Sequence, residues 1–429
     1  MFSLLGTNTT NYDRGHSLLL SFTMENHRNY LYGNELEQKS GLVNLKKLAE
    51  KAKYLPAQKV LKNEGIVHES DDSNECYLCH GIFSNTEKFI TEIIKKLEDF
   101  EFSTFLIGTK PKSHIVNRED SFKTEFSILE AEAFKSHFNR VIGKALIEPL
   151  QKTPGFTHPD ILIIYSLDYE SFEIEIILKS LFIYGRYNKF KRGIPQTHWF
   201  CKKCLGKGCK LCNYTGKQYQ ISVEELISPE FVKEAKTTDS KFHGAGREDI
   251  DVRMLGSGRP FVLELRNPKF RNLDLTRLAK KVNKINRKKV KIQDLRYSSK
   301  NEVIKLKTEA TNTKKIYRAK VKLSSKISKE NFDKTLLLIK NTLENKEIRQ
   351  RTPHRVSHRR ADKTRKKIIH KIEGKFIKTN FFEFIIETQG GTYIKELISG
   401  DDGRTSPSFS ELFGIPLVCK ELDVLEISS

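Results

Sequence analysis

The amino-acid sequence predicts an α+β protein of more than one domain, and three observations carry that expectation. Between roughly 75 and 200, helix-period stretches alternate with apolar runs of strand length. A dense cysteine cluster then occupies 201–212, followed by a Gly- and Lys-rich link through Tyr214-Thr-Gly216. From about 221 to the end, period-two alternation recurs with helical stretches interspersed.

Taken in order, residues 1–40 are polar and weakly periodic, and they are expected to form an unordered extension. Asp13, Arg14 and His16 precede a short apolar patch, an order that does not read as a secretory signal, and Met24 offers an alternative start. Leucines and alanines recur at helical spacing from Leu42 to about Lys62. After Cys76-Tyr-Leu-Cys79, Ser84 and Glu87 are spaced as a capping box. They lead into one apolar stripe of Phe89, Ile90, Ile93, Ile94, Leu97 and Phe100. A strand is expected at 102–107, a helix around 129–146, and strands at 160–166 and 172–178. Ser222 and Glu225 open a further helix. Alternation at 261–265 and 316–323 marks two strands, and a third at 381–387 runs into Gly390-Gly391 and a helix starting near Thr392.

The formal net charge is +22, from 76 Lys+Arg against 54 Asp+Glu. Such an excess favours a polyanionic partner, because neutralising phosphates releases counterions. A generally lysine-rich chain would show the same balance. The apolar runs at 161–165 and 174–178 are of strand length. None approaches the roughly eighteen residues of a membrane helix, so no membrane association is expected.

Cys201-Lys-Lys-Cys204 and Cys209-Lys-Leu-Cys212 are two CxxC turns four residues apart. Each can present two thiolates to one tetrahedral zinc, and four thiolates leave no open position, which makes the expected Zn2+ structural. The short gap leaves open a site completed instead by Cys76 and Cys79.

Phe242-His-Gly-Ala-Gly-Arg-Glu-Asp249 combines a flexible turn with Arg247 and Asp249, two residues apart, suited to the phosphate and sugar of one nucleotide. Alone, that pattern equally describes a surface ion-pair cluster. On the strand around Tyr317, the tyrosine, Ala319, Val321 and Leu323 face one way, and Arg318, Lys320 and Lys322 the other. The basic stretch 349–367 suits a phosphate backbone, with Arg355, Arg359 and Arg360 grouped in it. Lys110, Lys112, Arg186, Lys189, Lys191 and Arg192 could form a second basic face in the N-terminal half.

Gly246-Arg-Glu-Asp249 resembles the Gly-Arg-x-Asp signature of pseudouridine synthases. The longer string through Arg259-Pro-Phe261 is similar to that of the archaeal and eukaryotic tRNA pseudouridine synthases that carry a THUMP-type RNA-binding domain. The resemblance continues at Arg351-Thr-Pro-His-Arg-Val-Ser-His-Arg-Arg-Ala-Asp362, at Gly390-Gly-Thr-Tyr-Ile-Lys395-Glu-Leu and at Gly400-Asp-Asp-Gly-Arg-Thr-Ser-Pro-Ser408. With the cysteines it spans about 76–429.

It implies a THUMP-like, zinc-containing α/β domain over 41–220. A catalytic domain over 221–429 would follow, built on a mixed, mainly antiparallel sheet with flanking helices. It implies uridine-to-pseudouridine isomerisation at positions 54 and/or 55 in the TΨC arm of tRNA, with no organic cofactor and no obligate protein partner, in the cytoplasm (or the nucleus of a eukaryote). Asp249 would be the nucleophile, Tyr317 the ring stacked on the target base, Lys395 the cation paired with the aspartate and Leu412 the apolar residue beneath the site. Arg247 would assist, and Arg318, Lys320, Arg355, Arg359, Arg360 and Arg404 would meet the RNA. The competing expectation is a noncatalytic zinc-containing tRNA-binding protein.

Overall fold

A computed structural model of the chain describes residues 11–68, 76–309 apart from 126, 128 and 130, and 313–428; the side chains of 11–14 and 359 are outside that set. It divides into two compact units, Met1–Ile177 and Leu178–Ser429.

The first unit opens with α1 (Asn11–Tyr32), α2 (Glu35–Glu50) and α3 (Leu55–Asn63). Residues 11–32 and 35–40 are therefore helical rather than the expected unordered extension. Leu45, Leu48, Ala49, Tyr54, Ala57 and Leu61 bury a small core of their own, and Asn34 and Glu37 cap α2 reciprocally. There follow α4 (Thr86–Leu97), β1 (Thr104–Pro111), α5 (Ser113–Glu125), α6 (Phe134–Ala145) and α7 (Ile147–Leu150). The unit closes with β2 (Thr153–Pro154), β3 (Ile161–Leu167) and β4 (Phe172–Leu178). The sheet runs β2-β1-β3-β4, with β1 parallel to both its neighbours. Phe89 of α4, Phe138 of α6 and Tyr165 of β3 meet edge-on to form its core. The capping box expected at Ser84 is absent: Ser84 lies in a 3-10 turn, Ile82–Asn85, and Asn85 occupies the cap position of α4.

The second unit contains β5 (Leu181–Lys189), α8 (Val223–Glu234), β6 (Asp239–Gly244), β7 (Arg253–Arg266), α9 (Leu275–Ile285) and β8 (Val290–Ser298). It continues through α10 (Lys300–Thr308), β9 (Lys314–Leu323), α11 (Lys329–Leu343), β10 (Lys346–Arg351), β11 (Thr364–Lys378) and β12 (Phe381–Gln389). The last elements are α12 (Ile394–Ser399), β13 (Thr405–Ser406), α13 (Phe409–Phe413) and β14 (Leu417–Ser428). One ten-stranded sheet runs β13-β10-β11-β12-β9-β14-β7-β5-β8, with β6 also paired to β7. Its register is antiparallel in the pairs described except between β14 and β7, so the sheet is mixed and mainly antiparallel, as expected.

The boundary differs from the one the sequence suggests. β5 pairs with β7 from Leu181↔Leu265 to Lys189↔Met254, so 181–220, cysteine cluster included, belongs to the second unit rather than to a domain ending at 220. β9 alternates as its sequence predicts, with Tyr317, Ala319, Val321 and Leu323 buried; Lys315 joins them on that face.

Candidate active site

Five pieces of the second unit meet at one cleft. The β6–β7 loop brings Gly246, Arg247, Glu248 and Asp249; β9 brings Lys315 and Tyr317; the 3-10 turn after β10, His354–Arg359, brings Arg355. The start of α12 adds Tyr393, Ile394 and Lys395, and β14 adds Leu422 and Val424. The cleft encloses about 250 Å3, and a second cavity of about 490 Å3 continues from it along Trp199, Asp251 and Val356.

The Asp249 carboxylate sits at the mouth, 28 % exposed. Arg355 donates to both its oxygens from Nη1, at 2.9 and 2.8 Å, and Lys395 Nζ stands 3.5 Å away. Lys395 hydrogen-bonds Asp251 more closely, at 2.8 Å to each oxygen. Arg355 is thus the nearer partner of Asp249, a place the family resemblance gave to Lys395, with Arg355 expected to meet phosphate. Its far side is held by Glu396 at 2.5 Å. Burial works against the charged guanidinium, but the bond to Glu396 and the charges of Glu396 and Asp249 outweigh it and hold the Arg355 pKa above its usual value. For Asp251, burial is likewise outweighed, by Lys395, and its carboxyl titrates below the ordinary range.

Beneath the loop lies a buried ionic layer that gave no sequence signal. Glu248 accepts from the Tyr187 hydroxyl at 2.9 Å on each oxygen, with Arg259 Nε at 2.8 Å and Lys189 Nζ at 3.6 Å. Lys189 also donates to the carbonyls of Ile194, Asp249 and Ile250, and Gln196 to that of Gly246. This layer pins the backbone that presents Asp249. Gly246 has φ +78°, and a Cβ there would stand 3.2 Å from Arg259 and 3.5 Å from Lys315, so the loop needs glycine at that point.

Tyr317 forms the inner wall, 9 % exposed. Burial pushes its phenol up to about 12, partly countered by Arg259. Lys315, 6 % exposed, is pushed down to about 7 by burial and then by Arg259. It is a buried amine facing the cleft, two residues from Tyr317, that the basic-residue reading did not single out.

The remaining expected residues separate. Leu412 packs against the hydrophobic core from α13 and does not line the cleft; Leu422 and Val424, one face of β14, supply the apolar lining instead. Arg318 pairs with the buried Asp423, Lys320 with Glu421, and Arg404 with Asp362. Arg360 lines both cavities and donates to the Tyr393 hydroxyl; the side chain of Arg359 lies outside the described residues. Of the second basic face expected in the N-terminal half, Lys189 is fully buried, and Arg186 and Arg192 are bonded within the second unit.

The four thiols of Cys201, Cys204, Cys209 and Cys212 lie within 4.8 Å of one another, with neighbouring sulfurs 3.7–3.9 Å apart. Four sulfurs about 2.3 Å from a tetrahedral zinc would stand about 3.8 Å apart, so the group can hold such an ion. The four-residue gap therefore lets the four thiols of this loop come together without Cys76 or Cys79. Backbone N–H groups of Gly208 and Cys209 donate to the sulfurs of Cys204 and Cys212, as they do around bound thiolates.

A pinned aspartate between two cations, at the mouth of a cleft walled by a buried tyrosine, coincides with two family matches. Residues 182–428 match the model described as Pus10, C-terminal, and 89–166 the archaeal Pus10 THUMP domain. The chain is a THUMP-domain pseudouridine synthase, an isomerase. It belongs to the Pus10 family. Relatives named tRNA pseudouridine synthase Pus10 include that of Methanocaldococcus jannaschii, 44 % identical over 98 % of this chain and 88 % of that one. The Archaeoglobus fulgidus relative is 40 % identical over 85 % and 98 %. Among solved structures, a Cbf5-Nop10-Gar1 complex matches 57 % of this chain and 48 % of that one at 16 % identity, with a TM-score of 0.30. No helix among the described residues is long and apolar enough to cross a membrane.

Proposed function

We propose that this chain converts uridine to pseudouridine in the TΨC arm of tRNA, at position 54 and/or 55, with Asp249 as nucleophile and Tyr317 stacked on the target base. The observation that carries this reading is the Asp249 carboxylate held between Arg355 and Lys395 over the Tyr317 cleft.

Isomerisation breaks the C1′–N1 bond, turns the uracil and joins C5 to C1′. C5 loses a proton and N1 gains one, so the reaction balances without an outside group. A nucleophilic carboxylate must stay ionised in a site that closes around a base, and two cations within 3.5 Å serve that end. A base inside a folded arm must be extruded, at a cost of a few kcal/mol that an aromatic partner offsets. The net charge of +22 and the family name of the relatives both favour tRNA as the source of that base. A noncatalytic tRNA binder would have no need to keep Asp249, Tyr317 and Lys395 around one cleft.

The test incubates the chain with unmodified tRNA transcript and maps pseudouridine by chemical sequencing. Conversion at 54 or 55 is expected; modification confined to other arms, or none, would overturn the assignment. The thiol group is proposed as a structural zinc site. Elemental analysis should find about one zinc per chain, lost in Cys204→Ser, and a metal-free native chain would refute it.

A further inference from the structure

Residues 198–219 carry aromatic and basic side chains that the reaction above leaves unused. Trp199, the only tryptophan in the sequence, lines the outer cavity together with Asp249, Arg355, Arg360 and Lys395. Its indole is positioned by two neighbours. The Arg247 guanidinium stands 4.7 Å from the ring centre, and Tyr219 meets it edge-on at 5.6 Å. Arg247 lies two residues before Asp249, so the indole is tied directly to the loop that presents the reactive carboxylate.

Beyond Trp199, the cysteine loop turns large side chains outward. Phe200, Leu205, Leu211 and Tyr214 are all exposed, as are Lys202, Lys203, Lys207 and Lys210. Exposed apolar groups crowded on one short segment mark an interaction surface. The loop does not depend on burying them, because its order comes from the cluster of Cys201, Cys204, Cys209 and Cys212 and from turns at Gly206 and Gly208, with φ +99° and +89°. Rings that offer a stacking face, set among lysines, suit unpaired bases and the phosphates that join them. Continuity with the cleft favours RNA over a protein partner. A uridine extruded into the Tyr317 cleft remains joined to its neighbours, and they must pass its mouth, where Trp199 stands.

We propose that Trp199, with Arg247 on its ring, is a stacking subsite for an unpaired base flanking the target uridine, and that the cysteine loop guides the adjoining RNA strand. The inference rests on the RNA-modifying reading but makes a separate claim about where the neighbouring base goes.

Because Trp199 is the sole tryptophan, its emission reports the contact without any label. The full chain is titrated with unmodified tRNA transcript while binding is followed independently by filter retention. Emission should be quenched in step with binding, and a transcript made abasic next to the target uridine should bind with most of the quenching lost. Trp199→Ala should weaken binding on the order of tenfold, with Trp199→Phe recovering most of it. Unchanged emission at saturating RNA, or Trp199→Ala binding within twofold of the native chain, overturns the subsite and leaves the loop to a protein partner. Failure of the underlying reading looks different: no tRNA is retained and no pseudouridine is formed.

Discussion

Asp249→Asn is expected to bind tRNA at least as tightly as the native chain, while forming pseudouridine about 10^4-fold more slowly or worse, the scale of losing one member of a concerted catalytic group. The amide keeps the shape of the carboxylate and one acceptor for Arg355, but it has no charge with which to attack carbon. The fold should tolerate the change. Asp249 is partly exposed, and Arg355 retains Glu396 as counter-ion at 2.5 Å. Removing an anion from the mouth also lowers repulsion toward phosphate, so affinity should hold or rise. Binding measured beside single-turnover conversion separates the two effects. Equal loss of both would mean that Asp249 shapes the site rather than reacts in it.

The second large effect concerns stability. Glu248→Gln should lower thermal stability by about 3–5 kcal/mol, because removing one partner of a buried ion pair strands the other. At roughly 2–4 °C per kcal/mol for a unit of this size, the midpoint should fall by about 10 °C. Here the stranded groups are Arg259 and Lys189, both buried. Burial alone would raise the Glu248 pKa, but Arg259 and Lys189 reverse that and hold it below the usual value. A carboxyl depressed in the folded state contributes stability above its unfolded pKa and loses it as pH falls through the folded one. The gap between native chain and variant should therefore narrow in acid. Activity should fall as well, since Lys189 holds the carbonyls of Asp249 and Ile250. Differential scanning calorimetry at pH 7 and pH 3.5 checks the fall in midpoint and its narrowing in acid; a midpoint within 2 °C of native at pH 7 would contradict the account.

Much of the fold was legible because periodicity reports burial directly. β9 shows its inward face residue by residue, and β3, β4 and β12 fall where alternation and apolar runs put them. Local readings failed where the deciding partner lies far along the chain. Arg355 sits in a run of cations, any of which could meet phosphate, and only folding selects it for an aspartate 106 residues away. Lys189 looks like part of a basic surface stretch, yet β5 inserts beside β7 and turns it inward. The same insertion moved the boundary from 220 to 178, which no composition shift announces. Leu412 and Leu422 are indistinguishable as letters; β14, running antiparallel to β9, brings the second to the cleft. At the N-terminus the signal was present: Asn34 and Glu37 are a capping box that marks the start of α2.

The most direct measurement of the central claim is tritium release from tRNA transcript labelled at C5 of uridine, under single turnover with enzyme in excess. The C5 hydrogen leaves only when the base has been detached and rejoined through that carbon. The native chain should release the label from the TΨC-arm uridine to completion, and Asp249→Asn, bound to the same transcript, should release none above background. Release by that variant at a rate within about tenfold of native would show that the carboxylate at the mouth of the cleft is not the reacting group.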